Sequence, residues 1–514
     1  MMNKYILGGA VALTLVACQS PFHKAADVSS YRHPASSEEL ITGSQKVLND
    51  LSNPQIFNPN SCAKFVNQVT DYMYYLPADH FIPKNAQEVE SLKIHGPEVM
   101  DTIFQIRVVL HEKLKEFDSR NELNKDCIQK IREGFQYARF AEEYLLEWLF
   151  SQKVYNFKAS PIMSNAKPNT WTNSKFADFE LKSGDVMLIR GKSYVSAMIA
   201  RIGDEEGNFS HLAIVGEDKA GKKYVVEALI QYGTIVTPLE KWRQTEDARV
   251  ALYRQPDEAL AKLAARKMYD KAKAALDSNK GIRYDFAMDD EDYSSLFCSE
   301  VIRYAYDMAS DGKVIIPKYR SSVSKFKNTD YPKSLGVTKS TLFAPYDIEV
   351  DPRFDFVAEY RHYPLLRQVR MQDAVLQSVY SWMIEKDYTF HWAAGHSIKA
   401  YFAKFVRQFG LVADTLPKYM PMDSLKTNVQ FEAVAKVLEK NIYQKEEEFY
   451  KKKGYLPSFQ DMLAINEEYR AQDCEAHKEW REKSNSPFTD ERERNSTDPS
   501  KFHWFFNNSA KSCK

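Results

Sequence analysis

Glycine and proline are scarce in this sequence, at 18 and 21 of 514 residues, while charged and aromatic side chains are plentiful. That balance excludes a disordered or collagen-like polymer and fits a folded, helix-rich protein. An excess of either charge is also missing: 70 basic residues face 70 acidic ones, so bulk electrostatics gives no reason to expect a nucleic-acid partner. Beyond the first twenty residues no apolar run is long enough to cross a bilayer. Internal repeats and low-complexity tracts are absent too. Cysteines number only six, Cys18, Cys62, Cys127, Cys298, Cys474 and Cys513, few enough to be argued one by one. The length exceeds one ordinary core and predicts two or three domains.

What is present begins at the N-terminus. "MMNKYILGGAVALTLVACQS" has one basic residue, Lys4, followed by an apolar run to Ala17 with the dimensions of a signal-peptide core. An ordinary signal peptide or a short membrane anchor would share those features. The end of the run, Leu15-Val16-Ala17-Cys18, resembles the lipobox of bacterial lipoproteins. The resemblance implies cleavage before Cys18, lipid on its thiol and, with Gln19 following, passage to the outer membrane. The expected location is therefore the bacterial cell envelope, with the membrane reached through the N-terminal lipid and the body facing the periplasm. Exported proteins usually pair their thiols. If Cys18 carries lipid, five cysteines remain; the economical pairing joins Cys62 with Cys127 and Cys474 with Cys513, and leaves Cys298 over. Sequence by itself does not fix that connectivity.

The chain divides by pattern. A signal peptide is expected over residues 1–17, a polar tether over 18–38 and a helical domain over 39–165. An α+β block is expected over 166–364 and a second helical region over 365–514. In the first helical region Ile128, Ile131, Phe135 and Ala138 recur at the spacing of a buried stripe. "ASPIMSNAKPNTWTNSK" breaks the periodicity and reads as a linker. The period then becomes that of short strands in "GDVMLIRG", "SHLAIVG", "YVVEAL" and "ARVALYR", and "DEALAKLAARKMYDKAKAALDSNKG" follows as a long amphipathic helix. A further strand is expected in "FDFVAEYRHY".

The chemistry is expected in "SSLFCSEVIRYAYDMA". Val301, Ile302, Ala305 and Met308 form a helical apolar stripe, which puts Cys298 at a helix start with Ser294 or Ser295 as the cap. The positive end of the helix dipole favours a thiolate there. A nucleophilic thiolate needs a base, and the base needs an orienting partner. His211 opens the "SHLAIVG" strand, and Glu227 lies on the next one, where it can fix the imidazole tautomer. Cys298 is equally readable as half of a disulfide or as a small core residue, His211 as a surface residue and Glu227 as a solvated strand end. Glu300 reads as a first-turn carboxylate. His391 and His396 in "HWAAGH" are five apart, which is poor spacing for two ligands on one helix face, and no metal is expected.

In the order "GDVMLIRG", "SHLAIVG", "VVEA", "YDF" and "FCSEVIRYAY", these segments resemble the permuted, papain-like branch of the NlpC/P60 superfamily, the YiiX/YaeF-type amidases. In ordinary NlpC/P60 enzymes the cysteine helix comes first; here it comes last. The resemblance covers roughly Phe179 to Pro364. It implies an α+β fold, with a papain-like catalytic domain on a small antiparallel sheet flanked by helical N- and C-terminal regions. It further implies Cys298 as nucleophile, His211 as general base and then acid, Glu227 as third polar residue and Tyr284 of "GIRYDF" as a neighbour of the site, with no cofactor. A C-S-E sequence replaces the ordinary C-S-G, so wall-peptidase specificity does not transfer directly. The expected function is a cysteine amidase or peptidase acting on a peptidoglycan peptide or related envelope amide through an acyl-enzyme. Two alternatives stand beside it: lipid acyl transfer or thioester hydrolysis on the same fold, and a non-catalytic envelope scaffold.

Overall fold

A computed structural model describes residues 36–74, 83–289, 292–326, 337, 339–390, 420–485, 497–506 and 513. Cys18, the signal segment, His391 and His396 lie outside the described residues.

Four helices come first: α1 (Ser37–Ser52), α2 (Cys62–Tyr74), α3 (Ala86–Ser119) and α4 (Lys125–Ser151). Asparagine caps start the two long ones, Asn85 accepting from the Glu88 N–H and Asn124 from the Cys127 N–H. A disulfide joins Cys62, at the start of α2, to Cys127 in α4.

The sheet follows, built from β1 (Thr170–Thr172), β2 (Val186–Arg190), β3 (His211–Glu217), β4 (Lys223–Leu229), β5 (Gly233–Pro238), β6 (Arg249–Arg254) and, later in the chain, β9 (Asp355–Arg361). Its order is β1-β9-β6-β2-β3-β4-β5, with every pairing antiparallel. Two short helices lie in its connections, α5 (Tyr194–Ala200) after β2 and α6 (Leu239–Trp242) after β5. The strand period of two gives each face its own core. Leu188, Leu212, Ile214 and Val226 face α7 (Glu258–Asp277) and α8 (Cys298–Ser310). Met187, Ala213, Val215 and Val225 meet Ile162, Leu181 and Trp242 on the other side. A two-stranded ribbon, β7 (Ser321–Ser322) with β8 (Thr341–Leu342), precedes β9.

The stretch expected to be a linker is instead partly core and partly sheet. Ile162 and Met163 are buried, and Thr170–Thr172 pairs with β9 as an edge strand. Its Pro- and Asn-rich composition hid this, because asparagine side chains do the fastening: Asn169 donates to the Lys158 carbonyl and Asn173 to the Phe356 carbonyl.

After β9 come α9 (Tyr363–Glu385), α10 (Met422–Lys453) and α11 (Phe459–Asn485). They share a second core, including Val379, Trp382 and Leu438, to which α4 contributes Phe140. A second disulfide, Cys474–Cys513, ties α11 to the chain end. The segment "YQKEEEFYKKKGY" carries ion pairs at helical spacing, Lys445 with Glu448 and Lys451 with Glu447.

The helical regions meet the sheet through buried charge. Arg190, Arg249 and Arg361 stand directly opposite one another on β2, β6 and β9 and are fully buried. Glu143 of α4 pairs with Arg249, and Glu142 with Arg361 and Arg107. Asp373 of α9 accepts from Arg190 at 2.8 Å, lies 2.8 Å from Arg201 and 3.5 Å from Arg249. Burial alone would raise the Asp373 pKa, but the three guanidinium groups hold it below the ordinary carboxylate value.

Replacing Asp373 with Asn leaves these buried cations short of a counter-charge. The expected loss is about 3–5 kcal/mol in urea unfolding of the full chain, the usual cost of breaking a buried pair from one side. Glu447→Gln, on the exposed face of α10, should leave the urea midpoint of the parent unchanged.

Candidate active site

Cys298 is the first residue of α8 and is 3% exposed. It is a free thiol, which removes the disulfide reading. The serines expected to cap its helix do not. Ser294 is turned to Asp292, with its N–H and its hydroxyl each 2.9 Å from that carboxylate. Ser295 instead bridges to Arg283. The N-cap is Phe297, whose side chain has no acceptor to offer. Glu300 is the expected first-turn carboxylate; it is buried and closes the turn by accepting the Phe297 N–H at 2.9 Å. Helix-start N–H groups therefore remain without a side-chain cap beside the sulfur.

His211 stands at the first position of β3, opposite Ile189 of β2. Its Nε2 lies 2.8 Å from Oε2 of Glu227, which projects from β4 opposite Ala213, two residues along. That contact leaves Nδ1 as the ring nitrogen available to the Cys298 thiol, and the two groups shift each other's titration. Sγ also lies 4.0 Å from the Ser210 carbonyl and from Oγ of Ser299. Three residues far apart in sequence thus converge where a helix begins against the ends of two strands.

The electrostatics follow from this packing. Burial pushes the Cys298 thiol up, but the His211 ring, the Leu212 N–H and the Ser299 hydroxyl together bring it below its ordinary value. Burial pushes His211 down, yet its bonds to Cys298 and Glu227 raise it to about 10. Both shifts favour a thiolate–imidazolium pair.

Tyr284 arrives on a short parallel pairing with the Cys298 approach: the Leu296 N–H donates to the Arg283 carbonyl and the Asp285 N–H to Leu296. Gly233 makes this possible. Its φ is +74°, and a Cβ there would lie 2.1 Å from the Ile282 carbonyl oxygen, so only glycine admits the close approach. The Tyr284 phenol is buried. Burial and then the charge of Cys298 hold its pKa well above the ordinary value, so it stays a donor.

Asp247 was not singled out from sequence. It sits in the turn before β6, where burial, followed by the charge of Glu227, raises it to about 6. "TEDAR" reads as a plain acidic turn, and only the antiparallel neighbourhood of β2, β3 and β6 brings it near the imidazole. Among the described residues, no group of three or more His, Cys, Asp or Glu side chains could hold a metal ion.

Residues 180–344 match a family described as permuted papain-like amidase enzyme, YaeF/YiiX, C92 family. A solved neighbour is the crystal structure of the metalloprotein yiiX from Escherichia coli O157:H7, at 19% identity and a TM-score of 0.25, over 34% of this chain and 96% of that one. No curated protein matches.

Iodoacetamide labelling of the native full chain should modify Cys298, with a pH midpoint below the ordinary thiol value of about 8.5. His211→Ala should move that midpoint up by about 1–3 units, the scale of a lost opposite charge. Intact-mass spectrometry against pH reads both, and labelling only after denaturation would contradict the geometry.

Proposed function

We propose that this protein is a cysteine hydrolase of the bacterial cell envelope, and that it cleaves amide bonds of a peptidoglycan peptide or related envelope amide through Cys298, His211 and Glu227. The match of residues 180–344 to a permuted papain-like amidase family supports amidase chemistry. The observation that carries the residue roles is the His211 ring, held by Glu227 at 2.8 Å on one nitrogen, on the strand whose preceding residue, Ser210, has its carbonyl 4.0 Å from the Cys298 sulfur.

The reaction runs in two halves. The Cys298 thiolate attacks the amide carbonyl carbon, a C–S bond forms, and the carbonyl oxygen takes the negative charge. Helix-start N–H groups and the Tyr284 hydroxyl are the donors available to that oxygen. The His211 imidazolium gives its proton to the amide nitrogen, the C–N bond breaks and the amine leaves. A thioester remains on Cys298. Neutral His211 then takes a proton from water, the resulting hydroxide adds to the thioester, and the C–S bond breaks. A carboxylic acid departs and the thiolate is restored. Amide and water become acid and amine, with no redox change. Glu227 keeps Nε2 engaged, so that Nδ1 stays aimed at the sulfur throughout.

An oxidising compartment suits the two disulfides. Anchorage by lipid on Cys18 suits the lipobox-like "LVAC" segment. Among the described residues no helix is long and apolar enough to cross a membrane.

With purified muropeptides or an activated amide, Cys298→Ala is expected to abolish turnover, and His211→Ala to lower kcat/KM by about 10²–10⁴-fold. Glu227→Gln should lower it less. The pH profile follows from the shifts. The rate rises as pH climbs through the lowered thiol value, because the thiolate forms, and falls near pH 10 as His211 loses the proton the amine needs. Turnover that survives Cys298→Ala sinks the reading.

A further inference from the structure

A cavity of about 840 Å³ opens on the sheet face turned away from α7 and α8. Small-molecule sites measure about 300–1,000 Å³. None of Cys298, His211, Glu227 and Tyr284 lines it. Met163, Leu181 and Leu239 line it from the buried core of that face, and the half-buried Phe179 adds a further apolar surface.

The polar lining is cationic. Lys222 and Lys223, at the β3–β4 turn, and Lys241 of α6 all line the cavity. Among the described residues no carboxylate lies within ion-pair distance of these three lysines. Arg243, just past α6, is fixed from behind. Its Nε donates to the Ile162 carbonyl at 2.9 Å, and its own carbonyl accepts the Ile162 N–H at 2.9 Å. One outer nitrogen of its fork lies 3.6 Å from Glu240, too far for a good hydrogen bond. Two carboxylates, Glu180 and Glu240, line the cavity against these four cations, so half of the positive charge has no local balance. The Ser164 hydroxyl, on the same lining, has no hydrogen-bond partner.

We propose that this cavity is a second ligand site, separate from Cys298, and that it takes an oxyanion, phosphate or carboxylate, carried on an apolar body. Cations gathered around one opening repel one another, and a bound anion removes that cost. A guanidinium already held by a backbone bond loses little freedom when it grips an oxyanion through its free edge. The apolar body of the ligand then covers Phe179 and Leu239. The site does not depend on the Cys298 chemistry.

The test is trace acetylation of lysines in the full-length protein, read by peptide mass spectrometry. Phenyl phosphate and benzoate are the anionic probes, and phenyl glucoside is the neutral one. At about nine times its Kd, a probe should slow labelling of Lys222, Lys223 and Lys241 about tenfold. Lys280, exposed beyond α7, should label at its former rate. Lys241→Glu, at an exposed position, should raise the Kd about fivefold. Arg243→Lys keeps the charge but loses the fork, and should raise it too. Capping Cys298 with iodoacetamide should leave the protection unchanged.

Protection by only one of the two anions supports the site and identifies which oxyanion it takes. Equal protection by phenyl glucoside would overturn the proposal, as would lysines that neither anion protects beyond Lys280. A Kd unchanged in both variants would overturn it as well. Protection lost on capping Cys298 would move the ligand to the sulfur and remove the second site, leaving the Cys298 chemistry untouched.

Discussion

Three buried arginines side by side on adjacent strands are the constraint from which the rest of this structure follows. Arg190, Arg249 and Arg361 occupy directly opposed positions on β2, β6 and β9, where like charges repel. The sheet holds no answer of its own beyond Glu359, which pairs with Arg361, Arg107 and Arg139. The remaining counter-charges come from helices on either side in sequence, Glu142 and Glu143 from α4 and Asp373 from α9. A sheet with this row cannot be stable alone. The helices are the other half of its charge balance.

The same carboxylates reach the site indirectly. Asp373 holds Arg190, which follows Ile189, the cross-strand partner of His211. It also holds Arg201, at the start of the loop that ends in His211. Arg139 of α4 donates to the Asn208 side chain at 2.7 Å in that same loop. The Ser210 N–H then donates to the Ile189 carbonyl, and the Ser210 carbonyl faces the Cys298 sulfur. The imidazole is therefore placed by a loop pinned from two helices, one on each side of the sheet segment in sequence. Positioning of this kind is what a sulfur–imidazole contact demands, because errors of an ångström are costly in catalysis.

Much of the site was legible in sequence because each piece is both local and chemically marked. A cysteine opening an apolar helical stripe, a histidine opening a strand and a glutamate on the next strand each follow from periodicity plus residue type. Their convergence agrees with the antiparallel order in which those strands pair. What escaped was what depends on distance. The cap of α8 was assigned to serines by preference, but Phe297 stands there because Glu300 closes the turn from inside the core. The β1 strand was hidden by the composition of a loop. The arginine row carries no local signal, since arginine is seldom fully buried and Arg361 finds its partner Glu142 219 residues away.

Buried ion pairs of this density are weak evidence for stability, because desolvation takes back most of what attraction gives. Their consequence is specificity of arrangement. An apolar joint between α4, the sheet and α9 could slide by a methyl group at little cost. A joint in which Asp373 must meet three guanidinium groups, and Glu359 three others, has few alternatives that leave no charge stranded. Precision is then needed most at the ends of β2 and β3, where the row lies next to His211. The helical flanks, which lie outside the family-matched residues 180–344, are the frame that holds the loop carrying His211.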